Sequence, residues 1–437
     1  MLKVVKFGGS SLADAAQFKK VRDIILAEPE RRFVVVSAPG KRNGADEKIT
    51  DLLYKVWSLR QNGEDYTAEF AKIRSRYLKI EEELRLPRRM HEALQHVEER
   101  LVSGCTREYM ASRGEYLSAL LLSEYLSFPF AEAGLYFRFT EDGRLDEKET
   151  AALSRALRDL PCAVVPGFYG TTASGTVKTF SRGGSDITGS LVAAAVGADV
   201  YENWTDVDGF LMADPRIVEN PRRIDCISYT ELRELSYMGA SVLHDEAIFP
   251  VKRARIPIHV RNTNNPAAKG TWIVNNGDLP KVREGTVTGI AGSRGFTVIT
   301  LSKANLHHQV GFAATVLNIL VKYNINLESL PSSIDSMSII LRDEDVRGRM
   351  DFLYHDIKEQ LKPDTVEIAS CVALIATVGR GMARARGTAT RLFSALSDAG
   401  VNIRIIDQGP TEMNIIVGVD QRDFEKAVRA IYGAFAQ

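Results

Sequence analysis

The chain opens with Val4-Val5-Lys6-Phe7-Gly8-Gly9-Ser10-Ser11, a short β-branched run that ends in two glycines. This run predicts a strand, and the stretch Asp14–Glu28 that follows it predicts a helix. A glycine pair between a strand and a helix lets backbone N–H groups approach an anion, and Lys6 adds a positive charge that suits a phosphate. The spacing is not that of a P-loop, so a tight turn without a ligand is the alternative.

The alternation of strand and helix patterns continues through the first two-thirds of the chain. Continuous apolar runs at Phe33–Ser37, Cys162–Val165 and Asp199–Trp204 predict buried strands, and the stretch 51–126 is largely helical. This pattern predicts an α/β sheet with helices on both faces. Such sheets bind ligands at the carboxyl ends of their strands, so the residues that follow each strand are the first candidates for a site.

Two later stretches place charged groups beside glycines. Ser112-Arg113-Gly114-Glu115 offers Glu115 to a cationic group of a substrate, although a charged cluster at a helix start is often only a solvated cap. Ser181–Thr188 reads SRGGSDIT, in which Arg182 can hold a carboxylate with two hydrogen bonds. Asp186 either belongs to the same site or caps the apolar helix that follows. Two glycines and an arginine are unusual ahead of a simple cap, so a binding role is favoured.

A fourth stretch, Trp204–Phe210, reads WTDVDGF and runs on to Asp214-Pro215-Arg216. Its threonine and aspartates follow a predicted strand and could meet a nucleotide or the magnesium ion that accompanies it. The spacing with a terminal glutamate that defines an EF-hand is missing, so a calcium loop is not predicted. A plain turn is the alternative.

The C-terminal third of the chain repeats itself. Gly311–Arg347 aligns on Gly387–Asp423 without gaps, at an offset of 76 residues, and Asn326 falls on Asn402. Each copy predicts the order strand, helix, strand, strand, helix. Self-similarity at a fixed offset indicates a duplicated supersecondary unit.

Composition narrows the class of protein. A chain of 437 residues predicts two or three domains, and its formal net charge of zero gives no field that would attract nucleic acid or an anionic membrane. The four cysteines are far apart, which predicts no metal site and no redox pair and fits a reducing cytoplasm. We find no signal-peptide layout and no apolar run that would span a bilayer.

Taken together, the motifs resemble the aspartate kinase branch of the amino-acid kinase family. They are KFGGSS at Lys6–Ser11, VVSAPG at Val35–Gly40, SRGE at Ser112–Glu115, SRGGSD at Ser181–Asp186, and WTDVDG with ADPR within Trp204–Arg216. The resemblance implies a three-layer α/β/α kinase domain at 1–285. It also implies two α+β ACT domains of the ferredoxin-like type at 295–369 and 370–437, the last segment of which is a candidate to complete the first.

The resemblance assigns roles to residues by their positions in these motifs. The catalytic group would be Lys6, Gly8, Gly9 and Asp186. Aspartate would be held by Thr50, Glu115, Arg182 and Ser185, and Asp186 is an alternative ligand for its ammonium group. The nucleotide would be contacted by Ser10, Thr205, Asp206, Phe210 and Arg216. An amino-acid effector would be bound by Gln309, Gly311, Asn326 and Ser338.

Three departures from the family pattern concern details of these contacts. About nine residues, 41–49, stand before Thr50, so the loop that carries it is longer than in many relatives. Leu211 stands where many relatives have an aromatic residue, and Ser241 where many have a lysine. The last two affect the expected nucleotide contacts and not the class of reaction.

The implied activity is phosphorylation of the β-carboxylate of L-aspartate by ATP, at the first step towards lysine, threonine and methionine. Magnesium would come with the nucleotide, and no separate metal site is predicted. Lysine or threonine, with lysine favoured, would regulate a homodimer or a dimer of dimers that pairs through the ACT domains. A glutamate or uridylate kinase and a catalytically silent amino-acid sensor are the rival interpretations. No GxGxxG follows a strand, so a fused dehydrogenase is not expected.

Overall fold

The structure is a computed structural model that describes residues 1–181, 183–240, 243, 245–278 and 286–436. The chain forms two compact units. The first comprises Met1–Phe210, Arg223–Leu232 and the described part of 243–278. The second comprises Leu211–Arg222, 233–240 and 286–436. In the described part of the chain, no helix is both long enough and apolar enough to span a bilayer.

The first unit is built on a seven-stranded sheet within the described residues, in the order β4-β2-β1-β7-β9-β10-β8. The first five strands in this order run parallel, whereas β10 is antiparallel to β9. A small separate sheet has the order β3-β5-β6. The strands are β1 (Lys3–Phe7), β2 (Arg31–Val36), β3 (Arg138–Phe139), β4 (Ala163–Pro166), β5 (Tyr169–Thr172), β6 (Val177–Thr179), β7 (Val200–Thr205), β8 (Cys226–Ser228), β9 (Ile258–Asn262) and β10 (Thr271–Val274).

Helices accompany this sheet, as the alternating sequence pattern predicts. They are α1 (Ala15–Leu26), α2 (Ile49–Gln61), α3 (Thr67–Glu83), α4 (Met90–Val102), α5 (Arg107–Leu126), α6 (Ala133–Tyr136), α7 (Glu147–Leu153), α8 (Gly184–Val196), α9 (Tyr229–Tyr237) and α10 (Phe249–Ala254), with 3-10 helices at Gly9–Leu12, Ser154–Asp159 and Asp245–Ile248. The predicted helix at 14–28 is confirmed by α1, which Asp14 caps through the amide of Gln17. The helical stretch 51–126 is confirmed by α2 to α5, whose apolar faces share one core with β1 and β2.

A buried ionic cluster joins the central strands. Glu202 of β7 accepts hydrogen bonds from Arg31 of β2 and from the indole of Trp204, each at 2.8 Å, and Lys3 of β1 lies 3.3 Å away. Burial alone would raise the pKa of Glu202, but the hydrogen bond and charge of Arg31 outweigh it and lower that pKa. Breaking such a buried pair is costly because it leaves one charge uncompensated. The cluster therefore favours the arrangement in which β1 lies between β2 and β7.

The second unit contains a five-stranded antiparallel sheet within the described residues, in the order β12-β11-β13-β15-β14. Its elements are β11 (Gly289–Ser302), α11 (Phe312–Lys322), β12 (Ser336–Arg342), α12 (Asp343–Val346), α13 (Met350–Leu361), β13 (Thr365–Val378), α14 (Thr388–Asp398), β14 (Ile403–Asp407), β15 (Asn414–Asp420) and α15 (Phe424–Phe435), with 3-10 helices at Leu306–His308, Met382–Arg384 and Gln421–Asp423.

The internal repeat predicted from the sequence is confirmed. Helices α11 and α14 begin and end 76 residues apart, and each is preceded by a glycine in the left-handed region, Gly311 at φ 90° and Gly387 at φ 82°. Two separate cores support the copies, one around α11 and α13 and one around α14 and α15. The α+β class of this region is therefore observed. The predicted order strand, helix, strand, strand, helix holds for the second copy, but the described residues of the first copy have one strand, β12, where two were predicted.

The two copies share their longest strands. The first half of β11 (289–294) pairs with the second half of β13 (373–378), and the second half of β11 (296–302) pairs with the first half of β13. Bulges mark the changeover, where Gly295 has φ 88° and Cys371 has φ 58°. The predicted boundary between 369 and 370 therefore lies inside one strand. The last helix, α15, packs in the core of the second copy, and the exchange between copies is made by β11 and β13.

Candidate active site

The turns that follow β1 and β2 contact each other through backbone atoms. The amide of Gly40 donates to the carbonyl oxygen of Gly9 at 2.8 Å. A Cβ atom on Gly9 would lie 2.8 Å from the Ala38 carbonyl oxygen, and one on Gly40 would lie 2.8 Å from the carbonyl carbon of Gly9. Side chains at either position would force the two turns apart, so glycine is required by this close approach.

The backbone amides of the turn that follows β1 differ in whether they are free to bind a ligand. Gly8 donates its N–H to the carbonyl oxygen of Trp204 at 3.0 Å, so that amide is already used. Gly9 and Ser10 are the first residues of the 3-10 helix Gly9–Leu12, and the first amides of a helix have no preceding helical carbonyl to bond. These two amides are therefore the better candidates to meet an anion.

Lys6, Asp186 and Asn203 form a compact polar cluster beside this turn. The Lys6 ammonium lies 2.6 Å from Oδ1 of Asp186, and the Asn203 amide nitrogen donates to the same oxygen at 2.7 Å. Lys6 and Asn203 are paired across β1 and β7. A Cβ atom on Gly8 would lie 3.8 Å from the Lys6 ammonium, which places this charge over the glycine turn.

Asp186 does not cap the helix in which it lies. The residue before α8 is Gly183, in the left-handed conformation at φ 61°, and no side chain of the described residues caps this end of the helix. The carboxylate instead bonds Lys6 and Asn203. The capping alternative is therefore wrong, and the structure connects KFGGSS directly with SRGGSD. Arg182, proposed from the sequence as a carboxylate ligand, lies outside the described residues.

Glu115 lies in the middle of the site's helical wall and not at a helix start. It belongs to the third turn of α5 and is 5% exposed, so the solvated-cap alternative for SRGE is wrong. Burial raises the pKa of Glu115 to about 8, although a hydrogen bond from the Ala38 amide and the charges of Arg113 and Lys6 act in the opposite direction. Within the described residues, its Oε2 atom is buried and has no hydrogen-bond partner. A buried carboxylate with a free oxygen fits a cationic ligand group.

Gly114 explains how α5 comes so close to the glycine turns. A Cβ atom on it would lie 2.6 Å from the Cβ atom of Ala38 and 3.6 Å from a methyl carbon of Ile49. The Tyr77 hydroxyl donates to its carbonyl oxygen at 2.7 Å. The amide of Ile49 in turn donates to the Pro39 carbonyl oxygen at 3.2 Å. Thr50 follows Ile49 in the first turn of α2, so VVSAPG, SRGE and Thr50 belong to one packed group.

The sequence reasoning missed Phe168, which follows β4. Its backbone is in the left-handed region at φ 78°, an uncommon conformation for a bulky residue. Its amide donates to the hydroxyl of Thr188 at 3.0 Å, and a Cβ atom on Gly167 would lie 2.7 Å from the hydroxyl oxygen of Ser185. Strained backbone of this kind concentrates at functional sites. The signal was a fourth glycine motif after a strand, Gly167-Phe168-Tyr169-Gly170.

The residues proposed for the nucleotide are placed in three different ways. Thr205 ends β7 beside the exposed Asp206, and its hydroxyl donates to the Asp206 carboxylate at 3.2 Å. Phe210 is only 2% exposed, so its ring is part of the core. Arg216 belongs to the second unit and pairs with Asp214 at 2.6 Å. Ser241 lies outside the described residues. The structure thus places Thr205 and Asp206 at the end of one strand, buries the ring of Phe210 and assigns Arg216 to the second unit.

The residues proposed for an effector lie in the first copy of the second unit. Gly311 precedes α11, Gln309 and Asn326 are exposed, and the Ser338 hydroxyl lies 3.1 Å from that of Thr300. Among the described residues, no group of three or more histidine, cysteine, aspartate or glutamate side chains could hold a metal ion.

Comparison with known proteins places this geometry in context. The amino acid kinase family matches residues 1–262, and an ACT domain matches residues 375–435. The chain is 39% identical to aspartokinase 3 of Bacillus subtilis, an alignment that covers 99% of this chain and 98% of the relative.

Solved structures show the same likeness. The crystal structure of Clostridium acetobutylicum aspartate kinase, described as an allosteric enzyme, is similar with a TM-score of 0.93 and 50% identity, covering 99% of this chain and 100% of the other. Escherichia coli aspartokinase III is similar at 30% identity in two states. Its complex with aspartate and ADP has a TM-score of 0.76, with 99% of each chain covered. Its complex with lysine and aspartate has a TM-score of 0.75, with 100% of each chain covered.

Proposed function

The chain belongs to the aspartokinase branch of the amino acid kinase family, and from this premise we propose that it transfers the γ-phosphoryl group of ATP to the β-carboxylate of L-aspartate. The observation that carries the proposal is the pair formed by the buried Lys6 and the partly buried Asp186 over a glycine turn, with the partly unsatisfied carboxylate of Glu115 in the wall beside it. The product is 4-phospho-L-aspartate, which stands at the start of the route to lysine, threonine and methionine.

Glu115 is the better candidate to hold the ammonium group of aspartate. The sequence left Glu115 and Asp186 as alternatives for this role. Asp186 is occupied by Lys6 and Asn203, whereas Glu115 is buried and keeps one oxygen free of the described residues. Asp186 then acts by holding the Lys6 ammonium in place. Arg182, Ser185 and Thr50 remain the proposed partners for the rest of the substrate.

The β-carboxylate of aspartate is already ionised at neutral pH, so the reaction needs no general base to create its nucleophile. The difficulty is to bring this anion to an anionic phosphate. Lys6 and the amides of Gly9 and Ser10 would offset the charge that develops on the transferred group, and positioning would supply much of the remaining rate enhancement.

The nucleotide would lie near the end of β7, at Thr205 and Asp206, with Phe210 and Arg216 retained as proposals from the family pattern. The side-chain oxygen atoms of Thr205 and Asp206 suit a hard cation, so these two residues would face the magnesium ion that comes with the nucleotide. When bound with ATP, magnesium would shield the phosphate charges. The similar E. coli enzyme has been solved with aspartate and ADP together, which supports the pairing of these substrates.

Trapping the product with hydroxylamine tests the reaction. An acyl phosphate yields a hydroxamate, so the protein should form aspartyl hydroxamate when given ATP and aspartate. The variant Lys6→Ala should lower kcat far more than it raises KM for aspartate, because Lys6 acts on the developing charge. A hydroxamate formed only from glutamate, or nucleoside diphosphate formed from uridylate, would favour a rival kinase. No ATP consumption with aspartate would favour the silent sensor and end the proposal.

We further propose feedback control by lysine, or by threonine, at the first copy of the repeat, through Gln309, Gly311, Asn326 and Ser338. The similar E. coli enzyme has been solved with lysine and aspartate, which supports lysine. An effector changes activity only if it binds two states with different affinity. Activity and melting temperature measured with lysine, with threonine and with both should identify it, and no response to either would exclude the control.

The same copy carries the exposed apolar residues that pairing between chains would bury. They are Val310, Leu317, Val321 and Ile334. The equivalent positions in the second copy are Arg386, Phe393, Ser397 and Pro410, so the two copies differ in character. We propose that the first copy pairs with a second chain in a homodimer or a dimer of dimers. The domains would then be 1–285, 295–369 and 370–437, with the last two joined by shared strands.

A further inference from the structure

Arg76 is a buried cation to which the proposed reaction assigns no role. It lies on α3, is 6% exposed, and donates to the carbonyl oxygens of Ala13 at 3.3 Å and Gly40 at 3.2 Å. Its other terminal nitrogen lies 2.8 Å and 2.6 Å from the two carboxylate oxygens of Asp46. One side chain thus joins the segment that follows the Gly8-Gly9 turn, the end of VVSAPG and the loop 41–48.

Asp46 holds the loop 41–48 in its conformation through hydrogen bonds. Its carboxylate accepts from the backbone amide and from the guanidinium of Arg42, in addition to Arg76. The hydrogen bond from Arg42, together with the charge of Arg76, holds the pKa of the Asp46 carboxyl well below its usual range. The carboxylate is therefore ionised at neutral pH and engaged by both arginines.

The loop begins and ends at the candidate active site. It leaves at Gly40, which contacts the backbone of Gly9, and returns at Ile49, whose amide bonds the Pro39 carbonyl oxygen. Thr50 follows at once. A shift of Asp46 or Gly40 would therefore be passed on to the Gly8-Gly9 turn and to the first turn of α2.

We propose that the Arg76–Asp46 pair is a positioning clamp that sets the geometry of the Gly9–Gly40 contact and of the Thr50 segment for the substrate. This inference rests on the proposed function. Neither side chain is assigned contact with the substrate, so both act through the backbone that they hold. A buried arginine with two carbonyl partners and one carboxylate can fix three segments at once, which a lysine with a single ammonium does less well.

The experiment compares Asp46→Ala with a control variant on α3, the helix that carries Arg76. Arg74 of α3 pairs with Glu98 through partly exposed side chains, so Arg74→Ala removes an ion pair of α3 without removing a contact to the loop 41–48. Asp46→Ala should raise KM for aspartate about tenfold or more, since misplacement near 1 Å can cost up to about a hundredfold. KM for ATP should rise less than KM for aspartate, because only part of the proposed nucleotide site adjoins the Gly9 turn. Asp46→Glu should recover part of the loss, and Arg74→Ala should change neither constant by more than about twofold.

Amide hydrogen exchange over residues 40–53 supplies a readout that does not depend on turnover. Exchange at Gly40 and in the first turn of α2 should become at least about tenfold faster in Asp46→Ala and stay unchanged in Arg74→Ala. Faster exchange with unaltered KM for aspartate would show a purely structural pair and overturn the positioning role. Unaltered exchange would overturn the clamp itself. A wild-type protein that does not turn over aspartate would instead overturn the proposed function, and the exchange result would still decide the clamp.

Discussion

At the scale of one residue, Glu115 has the surroundings that its proposed role in binding aspartate requires. Its side chain is buried, one of its oxygens is unbonded among the described residues, and burial raises its pKa to about 8. A protonated Glu115 cannot attract an ammonium group strongly, whereas an ionised one can. Binding of aspartate and loss of this proton should therefore be coupled.

We expect kcat/KM for aspartate to rise by about tenfold per pH unit between about pH 6 and pH 7 and to level off above about pH 8, because this constant reports ionisation of the free enzyme. The measurement is a pH profile of initial rates at low aspartate. The variant Glu115→Gln should be slower and should lose the slope. A flat wild-type profile across this range would contradict the role of Glu115.

The same carboxyl group should make stability depend on pH. Its pKa is raised from an ordinary value of 4.5 to about 8 in the folded chain, so between these values the folded state keeps a proton that the unfolded state has lost. The free energy of unfolding should therefore fall as pH rises through this window, by about 1.4 kcal/mol per pH unit from this group.

Thermal unfolding of the wild type and of Glu115→Gln without substrate, from pH 5 to pH 8, measures this effect. The Tm of the variant relative to the wild type should increase with pH, because glutamine cannot ionise. A constant difference between the two proteins would show that the side chain titrates at its ordinary pKa.

At the scale of elements, α9 is a helix with partners in both copies of the repeat. The Glu234 carboxylate accepts from Asn414 at 2.6 Å, and the Tyr237 hydroxyl donates to Glu328 at 2.7 Å. Glu328 also binds Arg342 at 2.7 Å and follows Asn326, one of the proposed effector residues, by two positions. Burial, together with the nearby carboxylate of Glu328, raises the pKa of Tyr237 to about 12, so the hydroxyl remains a donor at neutral pH.

Tyr237→Phe should weaken the response to lysine without changing basal turnover. The substitution keeps the ring and removes only the hydroxyl that reaches the effector segment, so coupling between that segment and α9 should fall. We expect the lysine concentration for half-inhibition to rise about threefold to tenfold, within the usual range of coupling energies. Inhibition curves of the wild type and the variant would be compared. Identical curves would remove Tyr237 from the regulation, while a wild type that ignores lysine would remove the regulation itself.

At the scale of the whole molecule, the two copies of the duplicated region differ in the side chains that they expose. Its copies share β11 and β13 and repeat the same helices, but the first copy exposes apolar side chains that the second replaces with other residues. Exposed apolar groups concentrated in one copy support our proposal that this surface pairs with another chain. A symmetric dimer would use this surface twice.

Val321→Glu tests this surface, and Ser397→Glu is its matched control 76 residues later. Val321 is 75% exposed on α11, and Ser397 is exposed at the equivalent position of α14. Val321→Glu should lower the molar mass measured by light scattering towards that of a monomer, because the new charge would be buried at the interface. Ser397→Glu should leave the mass unchanged. If both variants keep the wild-type mass, the first copy does not form the interface.

The sequence by itself determined the alternation of strands and helices in the first part of the chain, the glycine motifs that end the strands, and the offset of the repeat. These features are local: periodicity, caps and turn chemistry depend on neighbours a few residues apart, so they are visible without a fold. The helix α1 with its Asp14 cap and the matching limits of α11 and α14 are examples.

Only the tertiary structure decided which of these local features meet. It placed Glu115 within a buried helix, joined Asp186 to Lys6, buried Phe210 and put Arg216 in the second unit. It also revealed the clamp of Arg76 on Asp46 and the exchange of strands between the two copies. The physical reason is that burial, ion pairing and close glycine contacts depend on packing between segments far apart in the chain, which no local pattern records.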